Sequence, residues 1–166
     1  MLRIVIIGII ILGGGILLLT QIGGDKGTES KRSLTALSFL DYEGNTVALA
    51  DFAGKPMVIN TWAVWCPFCV KELPAFSALQ KAFPEELVVI AIDRVESLST
   101  VKSYTDDLGI TDDLLFLLDR SDSFYKSIGG FSMPETIFVD REGVIQDHKR
   151  GPMELSEMKQ RVEKIL

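Results

Sequence analysis

The sequence predicts an α/β domain with a mixed central sheet and helices on both faces, and three patterns carry that reading. The uninterrupted apolar run Leu87–Ile92, the largely hydrophobic Met57–Trp62 and Leu114–Leu118 read as buried central strands, Leu87–Ile92 with both faces covered. Between them the apolar residues recur at helical spacing, which marks βαβ crossovers. Two further pairs of short strands, one at the front and one near the end, flank polar loops containing glycine and read as hairpins. The resulting order, β-α-β-α-β-α-β-β-α behind a leading hairpin, gives parallel crossovers closed by an antiparallel pair.

The chain opens on an appendage. Ile4 to Ile22 is a run of nineteen residues without a charge, which at about 1.5 Å per residue nearly matches a hydrocarbon core of about 30 Å. Residues 1–22 are therefore read as a transmembrane helix, either an anchor or an uncleaved signal. A cleaved signal peptide is the competing reading. Its apolar region usually runs about 7–15 residues and ends in an A-x-A-like site, which Thr20-Gln21-Ile22-Gly23-Gly24 fits poorly. The glycines at 13, 14 and 15 weaken a helix and keep cleavage open. Arg3 precedes the span while Lys26, Lys31 and Arg32 follow it, so charge barely orients it. The three-residue tail favours export, which puts the expected domain on the outer side of the cytoplasmic membrane as a single-pass protein. Residues 23–34, rich in Gly, Ser and charge, read as a flexible tether.

The domain is expected over residues 35–166. Leu37–Leu40 and Thr46–Leu49 form the leading hairpin around Asp41–Asn45, and Asp51–Pro56 turns the chain into the first central strand. Val70, Leu73, Phe76, Ala78, Leu79 and Phe83 give the first helix, which Pro74 is expected to kink. Ser97–Leu108 is the next helix, stopped by Gly109, and Asp122–Ile128 a short one closed by Gly129-Gly130. Thr136–Val139 and Val144–Lys149 bracket Asp140-Arg141-Glu142-Gly143 as the second hairpin, before a closing helix from Glu154 to Leu166. Without residues 1–22 the chain holds 16 Lys+Arg against 23 Asp+Glu, a net charge of −7. So acidic a domain is a poor partner for nucleic acid.

The only two cysteines stand in Trp65-Cys66-Pro67-Phe68-Cys69, directly after a strand and at the start of a helix. There the first thiolate sits near unpaired backbone N–H groups and the positive end of the dipole, while the second lies one turn inside. Thiolates so placed have pKa values of about 3.5–7.5 against roughly 8.5 for a free cysteine. Cys66 is thus the expected nucleophile and Cys69 the resolving thiol. A membrane-tethered binding module with a merely structural disulfide is the non-catalytic alternative, but so tiny a loop removes little unfolded-state entropy. Zinc would need about four ligands where the chain offers two cysteines and His148, which reads as a partly exposed strand residue. The pairs Asp106-Asp107 and Asp112-Asp113 lack the alternating oxygens of a calcium loop and read as solvated helix-end charges.

Three stretches together are more specific than the cysteine pair: Gly54-Lys55-Pro56 through Trp62-Ala63-Val64-Trp65-Cys66-Pro67-Phe68-Cys69, then Lys71-Glu72-Leu73-Pro74, and Met133-Pro134-Glu135-Thr136 through Gly143. They resemble the thioredoxin superfamily over roughly Leu37 to Leu166, and within it the membrane-anchored TlpA, ResA and DsbE (CcmG) group of bacterial thiol-disulfide oxidoreductases. The resemblance implies the thioredoxin fold and a cis Met133–Pro134 bond beside the disulfide, where the Met133 backbone meets an incoming peptide; an ordinary trans proline opening an edge strand is the alternative. Trp65, Met133 and Pro134 are the implied substrate contacts, with Trp62 packing nearby or simply in the core. Glu72 matches an active-site glutamate of the ResA-like branch, a general base for the Cys69 thiol; the alternative is a solvated charge on a helix face. Asn60 stands where thioredoxin has a buried aspartate, so any proton shuttling by that group is absent.

No cofactor is implied beyond a redox-active Cys66–Cys69 disulfide. The implied partners are exported thiol or disulfide proteins, among them apocytochrome c, a DsbD/CcdA-like membrane electron donor, and the bilayer through residues 4–22. Pro67-Phe68 departs from the family's usual dipeptides, and redox poise spans about −270 mV for thioredoxin to −120 mV for DsbA, so these two residues assign no direction. The resemblance alone implies a reductant nearer thioredoxin. A thiol-dependent peroxidase of the redoxin type is the enzymatic rival, but its Pro-x-x-x-Thr-x-x-Cys pattern is missing: Ile59 and Ala63 stand seven and three before Cys66.

Overall fold

The computed structural model describes Leu34 and residues 36–166, together with the backbone of two paired two-residue strands, Ile11–Leu12 and Gly15–Ile16. Apart from that pair, the expected span over residues 4–22 and the tether lie outside the described residues. Among the described residues no helix is long and apolar enough to cross a membrane. Leu34, read from sequence as the end of the tether, is buried at 3% exposure in the core.

Asp41 closes the leading hairpin by accepting the N–H groups of Glu43 and Asn45 at 3.0 and 2.7 Å, with Gly44 taking the positive φ of 85° that the turn requires. Its strands are β1 (Ser38–Asp41) and β2 (Thr46–Ala48). A 3₁₀ turn at Leu49–Phe52 leads into β3 (Met57–Trp62), buried at every residue. Then come α1 (Pro67–Ala82), β4 (Val88–Arg94), α2 (Leu98–Asp107), β5 (Leu115–Asp119), α3 (Ser123–Ser127), β6 (Glu135–Val139), β7 (Ile145–Arg150) and α4 (Leu155–Val162). These match the expected order with shifted ends. Strand β4 runs two residues beyond the apolar run to include Asp93 and Arg94, and α4 stops four residues short of the expected end. Helix α1 continues through Pro74, whose side chain faces solvent.

One seven-stranded sheet, in the order β2-β1-β5-β4-β3-β6-β7, joins these strands. The pairs β3/β4 and β4/β5 are parallel, and every other pair is antiparallel. Alternation along the strands sends successive side chains to opposite faces. Val58, Trp62, Val89, Ala91 and Phe138 pack under α1, α2 and α4, together with Leu73, Phe76, Val101 and Met158 of those helices. Ile59, Ile90, Ile92, Leu117 and Ile137 meet Phe124 of α3 and Leu49 of the 3₁₀ turn on the other face. Each of the buried Val, Leu, Ile, Phe and Met side chains among them contributes on the order of 1.5–3 kcal/mol. This architecture places the Cys66–Cys69 segment at the C-terminal end of β3.

Candidate active site

Strand β3 ends at Trp62, and the turn Ala63–Trp65 delivers Cys66 as the N-cap of α1, with the Cys66 N–H bonded to the Ala63 carbonyl at 3.1 Å. Cys66 and Cys69 form a disulfide with Cα atoms 5.3 Å apart, and Cys66 Sγ accepts the Cys69 N–H at 3.2 Å. A thiolate here would accept the same N–H at the positive end of the helix. Cys69 is fully buried and Cys66 keeps only 4% of its surface, so the difference in access has the expected sign but a small size. Trp65 and Phe68, flanking Cys66, are both 60% exposed.

Glu72 follows Cys69 by three residues, which puts it on the same face of α1. It is 4% exposed, which removes the reading of a solvated charge. Its Oε1 accepts from Asn60 Nδ2 and its Oε2 from the Met153 N–H, both at 3.0 Å, and the Asn60 amide also donates to Thr136 Oγ1. Burial raises the Glu72 pKa to about 7, and these two donors with Lys149 only partly offset it. A cleft of about 220 Å³ adjoins it, lined by Phe68, Lys71, Ala75 and Pro152–Glu154.

The register that pairs Thr61 with Glu135 brings the Met133–Pro134 segment beside the end of β3. That peptide bond is cis. The Thr61 hydroxyl ties the junction by donating to the Glu135 carbonyl and accepting its N–H. Among the described residues, neither the N–H nor the carbonyl of Met133 has a hydrogen-bond partner. Glu135, known from sequence only as a letter of the motif, is fully buried beneath this segment. Its Oε1 accepts from the Phe131 N–H, the Ser132 N–H and the Ser132 hydroxyl, while Oε2 lies 2.6 Å from His148 Nε2 and 3.7 Å from Arg150 Nε. Burial pushes its pKa up, but these donors outweigh it and hold the carboxyl below its ordinary range.

His148, read as a partly exposed strand residue, is 19% exposed at its side chain and serves as the partner of Glu135. The sequence also missed Asp93 and Glu96. Glu96 Oε2 accepts the Val64 N–H at 2.7 Å, gripping the turn before Cys66, and its own N–H bonds Asp93 Oδ2. Burial, then the neighbouring Glu96 carboxyl, pushes Asp93 well above the usual carboxylate range. The only signal for this pair was a carboxylate ending an apolar run. No cluster of three or more metal-ligating side chains occurs among the described residues.

A family model described as Redoxin matches residues 25–166. The chain belongs to the redoxin family. This redoxin is 30% identical over 142 residues to the thioredoxin-like protein YneN of Bacillus subtilis, a match that covers 84% of this chain and 82% of YneN. It is 28% identical over 126 residues to the thiol-disulfide oxidoreductase ResA of Geobacillus thermodenitrificans, covering 75% of this chain and 71% of ResA. In fold it is similar to a secreted Mycobacterium tuberculosis disulfide oxidoreductase homologous to E. coli DsbE. That match has a TM-score of 0.72 at 21% identity and covers 80% of this redoxin and 98% of the other chain. StoA from Bacillus subtilis superposes with a TM-score of 0.65 at 22% identity, over 75% and 94% of the two chains. With its Cys-x-x-Cys pair at disulfide distance, this redoxin is a thiol-disulfide oxidoreductase of the TlpA/ResA/DsbE-like group.

Proposed function

We propose that this redoxin reduces disulfides of exported proteins, held by residues 4–22 on the outer face of the cytoplasmic membrane. The observation that carries the reading is Glu72, a carboxyl buried one turn beyond Cys69 with a pKa of about 7. A base of that pKa takes a thiol proton at neutral pH and gives it back within the same cycle. The Cys66 thiolate attacks a substrate disulfide, forming a mixed disulfide and releasing one substrate thiolate. Glu72 then accepts the Cys69 proton, and the Cys69 thiolate attacks Cys66 Sγ. The Cys66–Cys69 bond forms as the second substrate thiolate leaves, and both thiolates take protons from solvent or Glu72. Two electrons pass to the substrate, and a membrane donor of the DsbD/CcdA type returns them.

Trp65, Met133 and Pro134 form the peptide-binding side, with the free N–H and carbonyl of Met133 available to an extended strand. The name thiol-disulfide oxidoreductase borne by the ResA relatives supports a disulfide substrate, and apocytochrome c is the specific candidate, taken from the resemblance of the sequence. Cys66→Ser is expected to abolish insulin reduction, and retained turnover would sink the reading. Cys69→Ser is expected to trap mixed disulfides in acid-quenched membranes, identified by mass spectrometry. Adducts on Cys66→Ser instead would reverse the two roles. A redox titration of the pair tests the direction, since 30 mV is worth about 1.4 kcal/mol for a two-electron couple. A potential at the oxidising end would overturn the assignment as a reductant.

A further inference from the structure

Tyr125 on α3 takes no part in the redox chemistry, yet it is anchored against the segment that enters the Met133–Pro134 bond. Its ring is buried to 9% exposure, and the Arg94 guanidinium carbon lies 3.5 Å from the ring centroid. Arg94 is itself fixed by two bonds to Asp122, at 2.7 and 2.6 Å. The Tyr125 hydroxyl donates to the Ser132 carbonyl at 2.9 Å. Gly130 lies against the same ring, so closely that a Cβ there would come within 2.4 Å of it. From the other side, Glu135 holds the Phe131 and Ser132 N–H groups. The segment entering Met133 is therefore gripped by its carbonyl from α3 and by its amides from β6, while the backbone polar groups of Met133 itself find no partner among the described residues.

We propose that Tyr125 is a positioning residue that holds loop 130–133 in the shape an extended protein substrate docks on, setting affinity for protein disulfides without contacting the reacting sulfurs. This rests on the reading that the loop receives the substrate. Binding by backbone hydrogen bonds depends on how far the receiving edge is already ordered. Releasing the Ser132 carbonyl leaves that ordering to be supplied by the substrate at each encounter. A small disulfide that needs only Cys66 does not sense it.

The test compares insulin with the small disulfide 5,5′-dithiobis(2-nitrobenzoate), using the reduced full-length chain. Tyr125→Phe keeps the ring, its packing and the Arg94 stack while deleting the hydroxyl. It is expected to raise KM for insulin about five-fold, the factor one lost hydrogen bond supplies, with kcat and the rate with the small disulfide within about two-fold of the parent. Gly130→Ala moves the loop by a different route and is expected to show the same split. Equal losses with both oxidants would mark Tyr125 as a general packing residue and overturn the proposal. An unchanged insulin KM in Tyr125→Phe beside a raised one in Gly130→Ala would overturn it while leaving the loop as the docking surface. No change in either variant would remove that surface too, while the Cys66→Ser result would still stand for the oxidoreductase reading.

Discussion

Glu72 and Glu135 are buried to similar depth, 4% and 0% exposed, yet one is pushed up to about pKa 7 and the other held below the ordinary carboxylate range. Exposure alone therefore does not decide the charge: Glu72 is the more heavily desolvated of the two, and Glu135 has the more donors. Glu72 receives one amide N–H from a side chain and one from the backbone. Glu135 receives two backbone N–H groups and a hydroxyl on one oxygen, with His148 and Arg150 on the other. The under-supplied carboxyl stands one turn beyond a thiol, where a movable proton is of use. The fully supplied one lies under the loop, where a fixed charge keeps backbone in place.

The largest test of this contrast is Glu135→Leu, which leaves the Phe131 and Ser132 amides and His148 without their acceptor. Breaking a buried charged network from one side costs about 3–5 kcal/mol. Urea unfolding at pH 7 should show a loss of that size, and a loss below about 1 kcal/mol would break the comparison. Next comes the pH dependence of stability at Glu72. Its folded pKa lies above its unfolded value of 4.5, so the folded state holds the extra proton between the two, and stability falls as pH rises from 4.5 to about 7 and then levels off. At 1.36 kcal/mol per unit this amounts to about 3 kcal/mol, and Glu72→Gln should remove that share of the limb, leaving the share that Asp93, raised by burial to about 8, adds in the same direction. Glu135 has the opposite sign: its contribution is present above its unfolded pKa and fades as pH falls through its depressed folded value, so Glu135→Gln should remove part of the acid limb instead. Mutants that alter the same limb would show that the two carboxyls do not differ as their donors say. The smallest effect belongs to Asn60→Ala, which removes one of two donors to Glu72. The midpoint of pH-dependent turnover should move up by less than about one unit. A downward move would mean Asn60 does not stabilise the ionised form.

Much of this was readable from residue patterns, because the informative signals were local. The apolar runs of β3, β4 and β5, the Gly-containing hairpins and the helix-opening Cys66 each depend on a few neighbouring residues. What the sequence could not show is what meets across the sheet. Resemblance alone marked Glu72 as a base, with a solvated helix charge as the alternative, and what buries it is Asn60, 12 residues away, and Met153, 81 residues away. His148 gave no sign of Glu135, since the pairing of Ile137 with His148 sets their approach. Asp93 and Glu96 were hidden for a related reason: a buried carboxyl at the end of an apolar run has no pattern of its own. Pro74 lies inside α1, which continues past it with the ring exposed.

The strand order has a mechanical consequence. The chain enters the sheet at β1, which meets the rest of the sheet through two register pairs with β5, Leu40 to Leu118 and Asp41 to Leu117. Strands β5 and β4 then separate β1 from the redox strand β3. A pull on the front of the described residues acts on the core packing of Leu34 and on this short antiparallel seam, where hydrogen bonds run across the strands. The six-pair parallel ladder between β3 and β4 lies two strands further in. Were the front of the chain held as we propose, tension would load the packing of Leu34 and this seam before the pairing of the redox strand.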